Sequence, residues 1–262
     1  TARPSAGFRG SASGLVAEID IAGVARLSDA VPDTWLERVR SYAAGLPADR
    51  HDVMIEGADA HALGFVRELT ADPAVQSLTE AIARSAYPDS DPADRRFDCA
   101  LRVVNGPDPE RRPLWLHYDA SVLAVVLPVE VPDVAPGQAG ELVLFPNHRP
   151  YRRSVLTNVA EKIIRQSDTY RRRFQQRIRW GIDPEVVAMT PGNAYLFWGY
   201  RSYHVHPAVC ARHPTRHRGA ALQGRARRQP VPADRQGDSR LADPRRCHEP
   251  FRGPGLTGGQ SG

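Results

Sequence analysis

Apolar residues recur every three to four positions in two early stretches of the chain, the spacing that places them on one face of a helix. The first stretch follows Pro32 and ends before Pro47, and proline is suited to the first turn of a helix but not to its interior. In the second stretch, Asp72 can cap a helix whose first turn holds Pro73. We predict two helices that pack their apolar faces on the core.

Most other apolar runs are short and end at proline or glycine, which is typical of β-strands joined by turns. The run that ends at Leu127 is apolar throughout and fits a strand buried on both faces. A third helical pattern covers residues 158–179, with one apolar stripe of Ile163, Ile164, Tyr170, Phe174 and Ile178. The predicted strands are 15–21, 97–106, 114–127, 140–147, 185–189, 194–198 and 201–205.

This order of elements predicts a mainly β fold with flanking helices, either a β-sandwich or a jelly roll. The length of 262 residues suits one domain with additions. We place that domain at residues 1–223, with the helical insertion near 158–179. Residues 224–262 contain few large apolar side chains and no periodicity, so we predict a basic, disordered tail.

The net charge of +5 is unevenly distributed. From Arg212 onward there are eleven arginines against four acidic residues, which leaves a net charge of −2 for the rest of the chain. The body therefore lacks the basic stripe of a nucleic-acid-binding protein. We expect a small-molecule partner and no nucleic acid.

The three cysteines are far apart and form no CxxC pair, so neither a disulfide framework nor a cysteine-rich zinc site is predicted. There is no run of 18 or more apolar residues, and the first 14 residues lack the apolar middle of a secretory signal. We expect a cytoplasmic protein without a membrane partner. The oligomeric state is not predicted.

His117 and Asp119 are the first candidate site residues. On an extended strand, both side chains lie on one face together with Trp115, while Leu116 and Tyr118 take the other face. Imidazole and carboxylate suit iron(II), and a triad of two histidines and one carboxylate leaves coordination positions open. With nine histidines and thirty acidic residues in the chain, about one such pair is expected by chance, so a third ligand is required.

Residues 191–207 offer that ligand. A Pro-Gly turn leads through an apolar strand to His204 and His206, which lie on one face of the next strand. This segment resembles the distal-histidine region of iron(II)/2-oxoglutarate-dependent dioxygenases, and the His117-Asp119 pair resembles the first motif of the same family. We prefer His204 as the ligand; His206 is its rival, or else faces substrate or packs in the core.

Arg218-Gly219-Ala220 resembles the RxS element of this family, in which an arginine pairs with the far carboxylate of 2-oxoglutarate. Ala220 replaces the usual serine, and Arg216 is the rival arginine. The segment 140–149 is also similar to that of phytanoyl-CoA hydroxylase and prolyl hydroxylase relatives.

The resemblance covers roughly residues 102–223 and implies a double-stranded β-helix (a jelly roll, cupin-like). It implies iron(II) held by His117, Asp119 and His204, with 2-oxoglutarate and O₂ as cosubstrates. Halogenating relatives have a small residue in place of the aspartate, so Asp119 points to hydroxylation or a related oxidation.

The expected substrate is a small molecule or is amino-acid-like, and the candidate residues that face it are Arg102, Asn105, Trp115 and His206. Arg102 can equally be a surface charge, and Trp115 a core residue. Two other functions stay open. One is a cupin-type metalloenzyme without 2-oxoglutarate, and the other is a non-catalytic jelly-roll binding module.

Overall fold

The computed structural model of the protein describes most of the chain between residues 7 and 226. The described ranges are 7–47, 49–50, 52–86, 97–105, 116–119, 121–134, 139–150, 184–205 and the backbone of 218–226, together with residue 88 and single residues within 161–174. Within these residues, no helix combines the length and the apolar character needed to cross a membrane.

The described part of the first 86 residues contains five helices: α1 (Ala12–Ala22), α2 (Asp33–Ala44), α3 (Gly57–Ala62), α4 (Gly64–Thr70) and α5 (Pro73–Ala86). Helices α2 and α5 confirm the two predicted ones. The Asp72 carboxylate caps α5 by accepting the backbone N–H of Ala74 at 2.8 Å. Helices α3 and α4 were not predicted, because each is too short to show a clear periodicity.

Helix α1 replaces the strand predicted at residues 15–21, which was wrong. The helix begins after Ser11, whose hydroxyl accepts the Gly14 N–H, and ends at Gly23, where φ is 85°. Leu15 and Ile19 are one helical turn apart and are both buried, whereas Ile21 is 88% exposed. A half-buried strand would place Ile19 and Ile21 on the same face, so the two capping residues and the burial pattern agree on a helix.

The strands form two antiparallel sheets. The six-stranded sheet has the order β1-β7-β4-β9-β3-β2, and the three-stranded sheet has the order β6-β5-β8. Their bounds are β1 (Ala25–Leu27), β2 (Asp52–Glu56), β3 (Phe97–Asn105), β4 (Leu123–Glu130), β5 (Leu142–Phe145), β6 (Glu185–Val187), β7 (Ala194–Trp198), β8 (Tyr203–Val205) and β9 (Arg218–Ala226).

Most predicted strands are confirmed, several of them shorter than predicted, and the largest changes are at the two ends of β4. The strand predicted from residue 114 begins only at Leu123, and it continues past Leu127 through Pro128 to Glu130. The register with β9 shifts between Pro128 and Glu130, as expected where a proline cannot donate a ladder hydrogen bond. Strands β1 and β2 were not predicted.

Alternate residues of the strands pack in different layers. Leu123, Val125 and Leu127 of β4 pack with the helices in the largest core cluster. Ala124 and Val126, from the other face of β4, pack against Leu142 and Leu144 of β5. The apolar inner faces of the two sheets therefore meet, and the helices cover the outer face of the larger sheet.

A smaller aromatic cluster covers the outer face of the three-stranded sheet. It contains Tyr203 and Phe145 from the sheet and Phe174 from the predicted insertion. Described residues of that insertion, Tyr170 and Phe174 among them, are helical. Ile164 is 62% exposed, so its predicted place in the apolar stripe was wrong.

The last described strand, β9, runs between β3 and β4 and extends to Ala226, three residues beyond the predicted end of the domain. Residues 227–262, the rest of the predicted tail, lie outside the described residues. The structure is sheet-rich with flanking helices, as predicted. The double-stranded β-helix stays a prediction.

Candidate metal centre

Two segments that are far apart in the sequence meet at His117 and His204. The two residues exchange both backbone hydrogen bonds of an antiparallel bridge, His117 N–H to His204 C=O and the reverse, each at 3.0 Å. The bridge attaches the segment before β4 to strand β8. It places the two imidazole rings side by side, with centroids 4.4 Å apart.

Asp119 lies between the two imidazoles. Its Oδ1 is 3.6 Å from His117 Nε2, and its Oδ2 is 3.6 Å from His204 Nε2. One ligand atom from each of the three residues can be chosen so that all lie within 4.8 Å of one another. The structure thus brings together the three residues that the sequence proposed as metal ligands.

The ring of His204 is oriented by a hydrogen bond on the side away from Asp119. Its Nδ1 lies 3.0 Å from the carbonyl oxygen of Ser202, which can only accept, so Nδ1 carries the proton. Nε2 of the neutral ring then keeps its lone pair on the side of the carboxylate. This is the usual way in which a metal-binding imidazole is fixed in one tautomer.

The backbone of Asp119 is held by the loop that follows β7. The Asp119 N–H donates to the Gly199 carbonyl at 3.0 Å, and the Gly199 N–H donates to the Val122 carbonyl at 3.0 Å. A Cβ atom at Gly199 would lie 3.0 Å from both Cβ and Oδ2 of Asp119. A side chain at this position would therefore crowd the carboxylate, and Asp119 would have to shift by a few tenths of an ångström.

Helix α1 supports the same loop from outside. The Asp20 carboxylate accepts hydrogen bonds from the Trp198 indole at 2.8 Å and from the Arg201 guanidinium at 3.3 Å. These two donors flank Gly199 in the sequence. The helix that replaced a predicted strand therefore contributes to the position of the metal-site loop.

The three candidate ligands differ in exposure. The side chains of Asp119 and His204 are 6% and 3% exposed, whereas that of His117 is 30% exposed. The Phe197 ring meets His204 edge to face, with centroids 4.8 Å apart. The site is therefore closed on the His204 side and more exposed beside His117.

Two of the predicted substrate residues have partners outside the candidate ligand set. Arg102 is buried and forms a two-point ion pair with Asp52, with N–O distances of 3.0 and 3.1 Å. The Asn105 amide donates to the Arg50 carbonyl at 2.8 Å. Trp115, His206 and Arg216 lie outside the described residues.

Arg218 is at the start of β9, where it pairs with Asn105 at the end of β3. The other end of β9 is nearer to the metal centre. There, Arg225 pairs with Ala124 on β4, and Ala124 in turn pairs with Phe197 on β7. The role of Arg218 in binding 2-oxoglutarate stays a prediction. The register adds Arg225 as a second candidate on this strand, because Arg225 lies at the end of β9 nearer to the metal centre.

Sequence reasoning missed the residues behind the ligands. Tyr118, which lies between His117 and Asp119, hydrogen-bonds to His148 Nδ1 at 2.8 Å and packs on Tyr203. Arg149 is 1% exposed, and its guanidinium lies over the Tyr118 ring. Arginine is the commonest charged residue in this sequence, so nothing in its pattern marked Arg149 as buried.

The sequence matches no protein-family model and no curated protein. The structure resembles the non-heme α-ketoglutarate-dependent epimerase SnoN from nogalamycin biosynthesis, with a TM-score of 0.54 and 14% identity over 89% of this chain and 92% of that one.

Two further structures are similar. The non-heme α-ketoglutarate-dependent carbocyclase SnoK from nogalamycin biosynthesis has a TM-score of 0.54 and 14% identity over 84% of this chain and 86% of that one. A prolyl 4-hydroxylase from Phytophthora capsici has a TM-score of 0.50 and 15% identity over 92% of this chain and 69% of that one. The chain therefore shares the fold of the iron(II)/2-oxoglutarate-dependent oxygenases.

Proposed function

We propose that the protein is an iron(II)- and 2-oxoglutarate-dependent oxygenase that hydroxylates a small-molecule or amino-acid-like substrate. The observation that carries the proposal is the convergence of His117, Asp119 and His204 from two separate segments. The similarity in fold supports it, and we infer that the two sheets form a jelly roll.

The three side chains fit iron(II). Two imidazoles and one carboxylate are the donor set of non-heme iron oxygenases. Because these three ligands occupy one face of the iron, the remaining coordination positions stay open for other ligands. His204 supports this assignment through its bond to Ser202, which selects the tautomer of the neutral ring with the proton on Nδ1 and the lone pair on Nε2. When bound, iron(II) and 2-oxoglutarate would supply the electrons that activate O₂, the oxidant, which no amino-acid side chain can do.

The protein itself would hold the metal ligands in position and limit the access of water to the site. Asp119 and His204 are buried, so water has limited access to their side of the site. The Gly199 carbonyl fixes the backbone of Asp119, and the bridge between the two histidines fixes their spacing. Substrate and cosubstrate would enter beside His117, whose side chain is 30% exposed.

2-Oxoglutarate has two carboxylates. The carboxylate that lies far from the iron would be bound by a cationic side chain. Arginine suits this role because its planar guanidinium binds a carboxylate at two points. We propose Arg218, Arg216 and Arg225 as the candidates. The register supports Arg225, since its strand position is opposite Ala124 at the metal end of β4.

Hydroxylation is the part of the proposal that rests on the sequence resemblance. Similar structures include an epimerase and a carbocyclase as well as a prolyl 4-hydroxylase, so this fold accommodates different oxidative outcomes. Asp119 retains the carboxylate that halogenating relatives lack. Product analysis by mass spectrometry would separate addition of one oxygen atom from loss of hydrogen.

The test is an anaerobic titration of the protein with iron(II) and then with 2-oxoglutarate, followed by visible absorption. We expect a weak charge-transfer band when both are present, absent in His117→Ala and retained in His61→Ala. His61 lies on α3, outside the candidate centre, and controls for the loss of one imidazole.

Different outcomes separate the alternatives. Iron binding without the band would contradict the role of 2-oxoglutarate and favour a cupin-type metalloenzyme. Absence of iron binding would contradict the metal centre itself. Among Arg216→Ala, Arg218→Ala and Arg225→Ala, the variant with the weakest 2-oxoglutarate affinity identifies the partner arginine, with the exposed Arg26→Ala as control.

A further inference from the structure

Arg149 is a buried cation between two tyrosine rings. It lies on the outer side of the three-stranded sheet, opposite to the metal ligands. Its guanidinium carbon is 4.4 Å from the centroid of the Tyr118 ring and 4.8 Å from that of Tyr200. The residue is 1% exposed, so these contacts are made away from water. Cation–π contacts are stronger when they are desolvated in this way.

The two tyrosines belong to the two segments that position Asp119. Tyr118 lies between the ligands His117 and Asp119 in the sequence. Tyr200 follows Gly199, whose carbonyl accepts the N–H of Asp119. One guanidinium therefore touches both the ligand segment and the loop to which that segment is hydrogen-bonded.

Arg149 also binds the loop through hydrogen bonds. Its Nε donates to the Tyr200 carbonyl, and its backbone N–H donates to the Arg201 carbonyl at 3.1 Å. Its neighbour His148 binds the Tyr118 hydroxyl at 2.8 Å. The turn after β5 thus holds both segments from behind.

We propose that Arg149 is a positioning residue for the metal centre, holding the His117–Asp119 segment against the Gly199–Arg201 loop. It acts through the Tyr118 ring and the backbone of the Gly199–Arg201 loop. Because the carboxylate and the imidazoles must keep a fixed spacing to share one ion, loss of the contact would reduce metal affinity more than folding stability. The inference rests on the proposed metal centre.

The experiment measures Co(II) binding by the full chain, which reports on the ligands without cosubstrate, oxygen or turnover. Arg149→Met keeps most of the side-chain volume but loses the charge and the Nε donor. Arg149→Lys keeps the charge but loses the planar fork. Arg40→Met is the matched control, because Arg40 Nε also donates to a backbone carbonyl, that of Val129, away from the metal centre.

We expect Arg149→Met to weaken Co(II) binding by about tenfold or more, as is usual for residues that orient metal ligands. Arg149→Lys should fall between it and the wild type, and the visible Co(II) spectrum of Arg149→Met should change shape. Arg40→Met should bind Co(II) within about twofold of the wild type, because distant sites act independently. Melting temperatures of the metal-free proteins separate folding from positioning.

Wild-type affinity and an unchanged spectrum in both Arg149 variants would overturn the proposal. A second outcome would also overturn the proposal: Arg40→Met and Arg149→Met have the same melting temperature and lose the same Co(II) affinity. The loss would then follow folding stability and not the position of the ligands. If Arg149→Met does not fold, Arg149→Lys decides by the same criteria. A folded wild type that binds no Co(II) would overturn both the metal centre and the role of Arg149.

Discussion

His117 and His204 are joined by a pair of backbone hydrogen bonds of 3.0 Å each, although 86 residues separate them in the chain. This bridge sets the spacing of the two imidazoles before any metal binds. The Asp119 carboxylate then has one oxygen 3.6 Å from each Nε2. When the ligands are already close together, ordering them on metal binding costs little free energy, which favours a tight metal complex.

Metal binding should raise the thermal stability of the protein, because an ion that binds only the folded state shifts the folding equilibrium. We expect the free energy of unfolding to rise by about 2.7 kcal/mol when the free iron(II) concentration is one hundred times its dissociation constant. Anaerobic thermal unfolding with increasing iron(II) measures this. His204→Ala should lose the increase while His61→Ala retains it, and an equal increase in His204→Ala would contradict the assignment of His204 as a ligand.

Gly199→Ala should disturb the metal centre directly. The added Cβ would lie 3.0 Å from Asp119 Oδ2 and 3.1 Å from the Ala124 Cβ, so the carboxylate has to move. We expect a loss of about 1–3 kcal/mol in the free energy of unfolding, together with weaker metal binding. Gly64→Ala is the control, since nothing lies within 4 Å of a Cβ there. Denaturant unfolding and Co(II) titration of both variants give the comparison. Unaltered Co(II) affinity in Gly199→Ala would refute the prediction that this substitution disturbs the metal centre.

Substitution at residues 19 and 21 tests whether the first element is a helix. Ile19 is fully buried in the core and Ile21 is 88% exposed. Ile19→Ala should lower the free energy of unfolding by about 2–5 kcal/mol, whereas Ile21→Ala should change it by less than about 0.5 kcal/mol. Urea unfolding measures both. Similar losses at the two positions would instead favour the half-buried strand that the sequence suggested.

The Cys99 thiol should be inert in the folded protein. Burial, with the neighbouring Asp98 charge, raises the pKa of Cys99 from 9.0 to about 12. Because the folded pKa is the higher one, the folded state binds the proton more tightly, and stability falls as pH rises from about 9 to about 12. Iodoacetamide at pH 8, with peptide mapping, should label Cys99 only after unfolding.

The alkaline loss of stability has its own control. Cys99→Ala removes the titrating thiol, so its free energy of unfolding should fall less steeply over the same pH range. Identical pH profiles for Cys99→Ala and the wild type would show that another group causes the loss. Rapid labelling of Cys99 in the native protein would show that the thiol is accessible.

The sequence predicted the elements whose signals are local. Asp72 and Pro73 mark the start of α5 by capping chemistry, and the structure has the helix there. The apolar run that became β4 was recognised because both of its faces are buried. Residues 15–21 were assigned wrongly because a short apolar run fits either a buried helix or a strand, and Ser11 and Gly23, which decide between them, lie outside the run.

By itself the sequence predicted the candidate metal ligands, His117 and Asp119 on one face and a later histidine, because strand periodicity and side-chain chemistry can be read from the order of residues. Only the tertiary structure decided that His204 pairs with His117, that Ser202 orients its ring, that a side chain at Gly199 would crowd Asp119, and that Arg149 lies behind Tyr118. These relationships depend on strand register and on packing between segments distant in the chain. Both are set by the burial of whole faces and not by any local pattern.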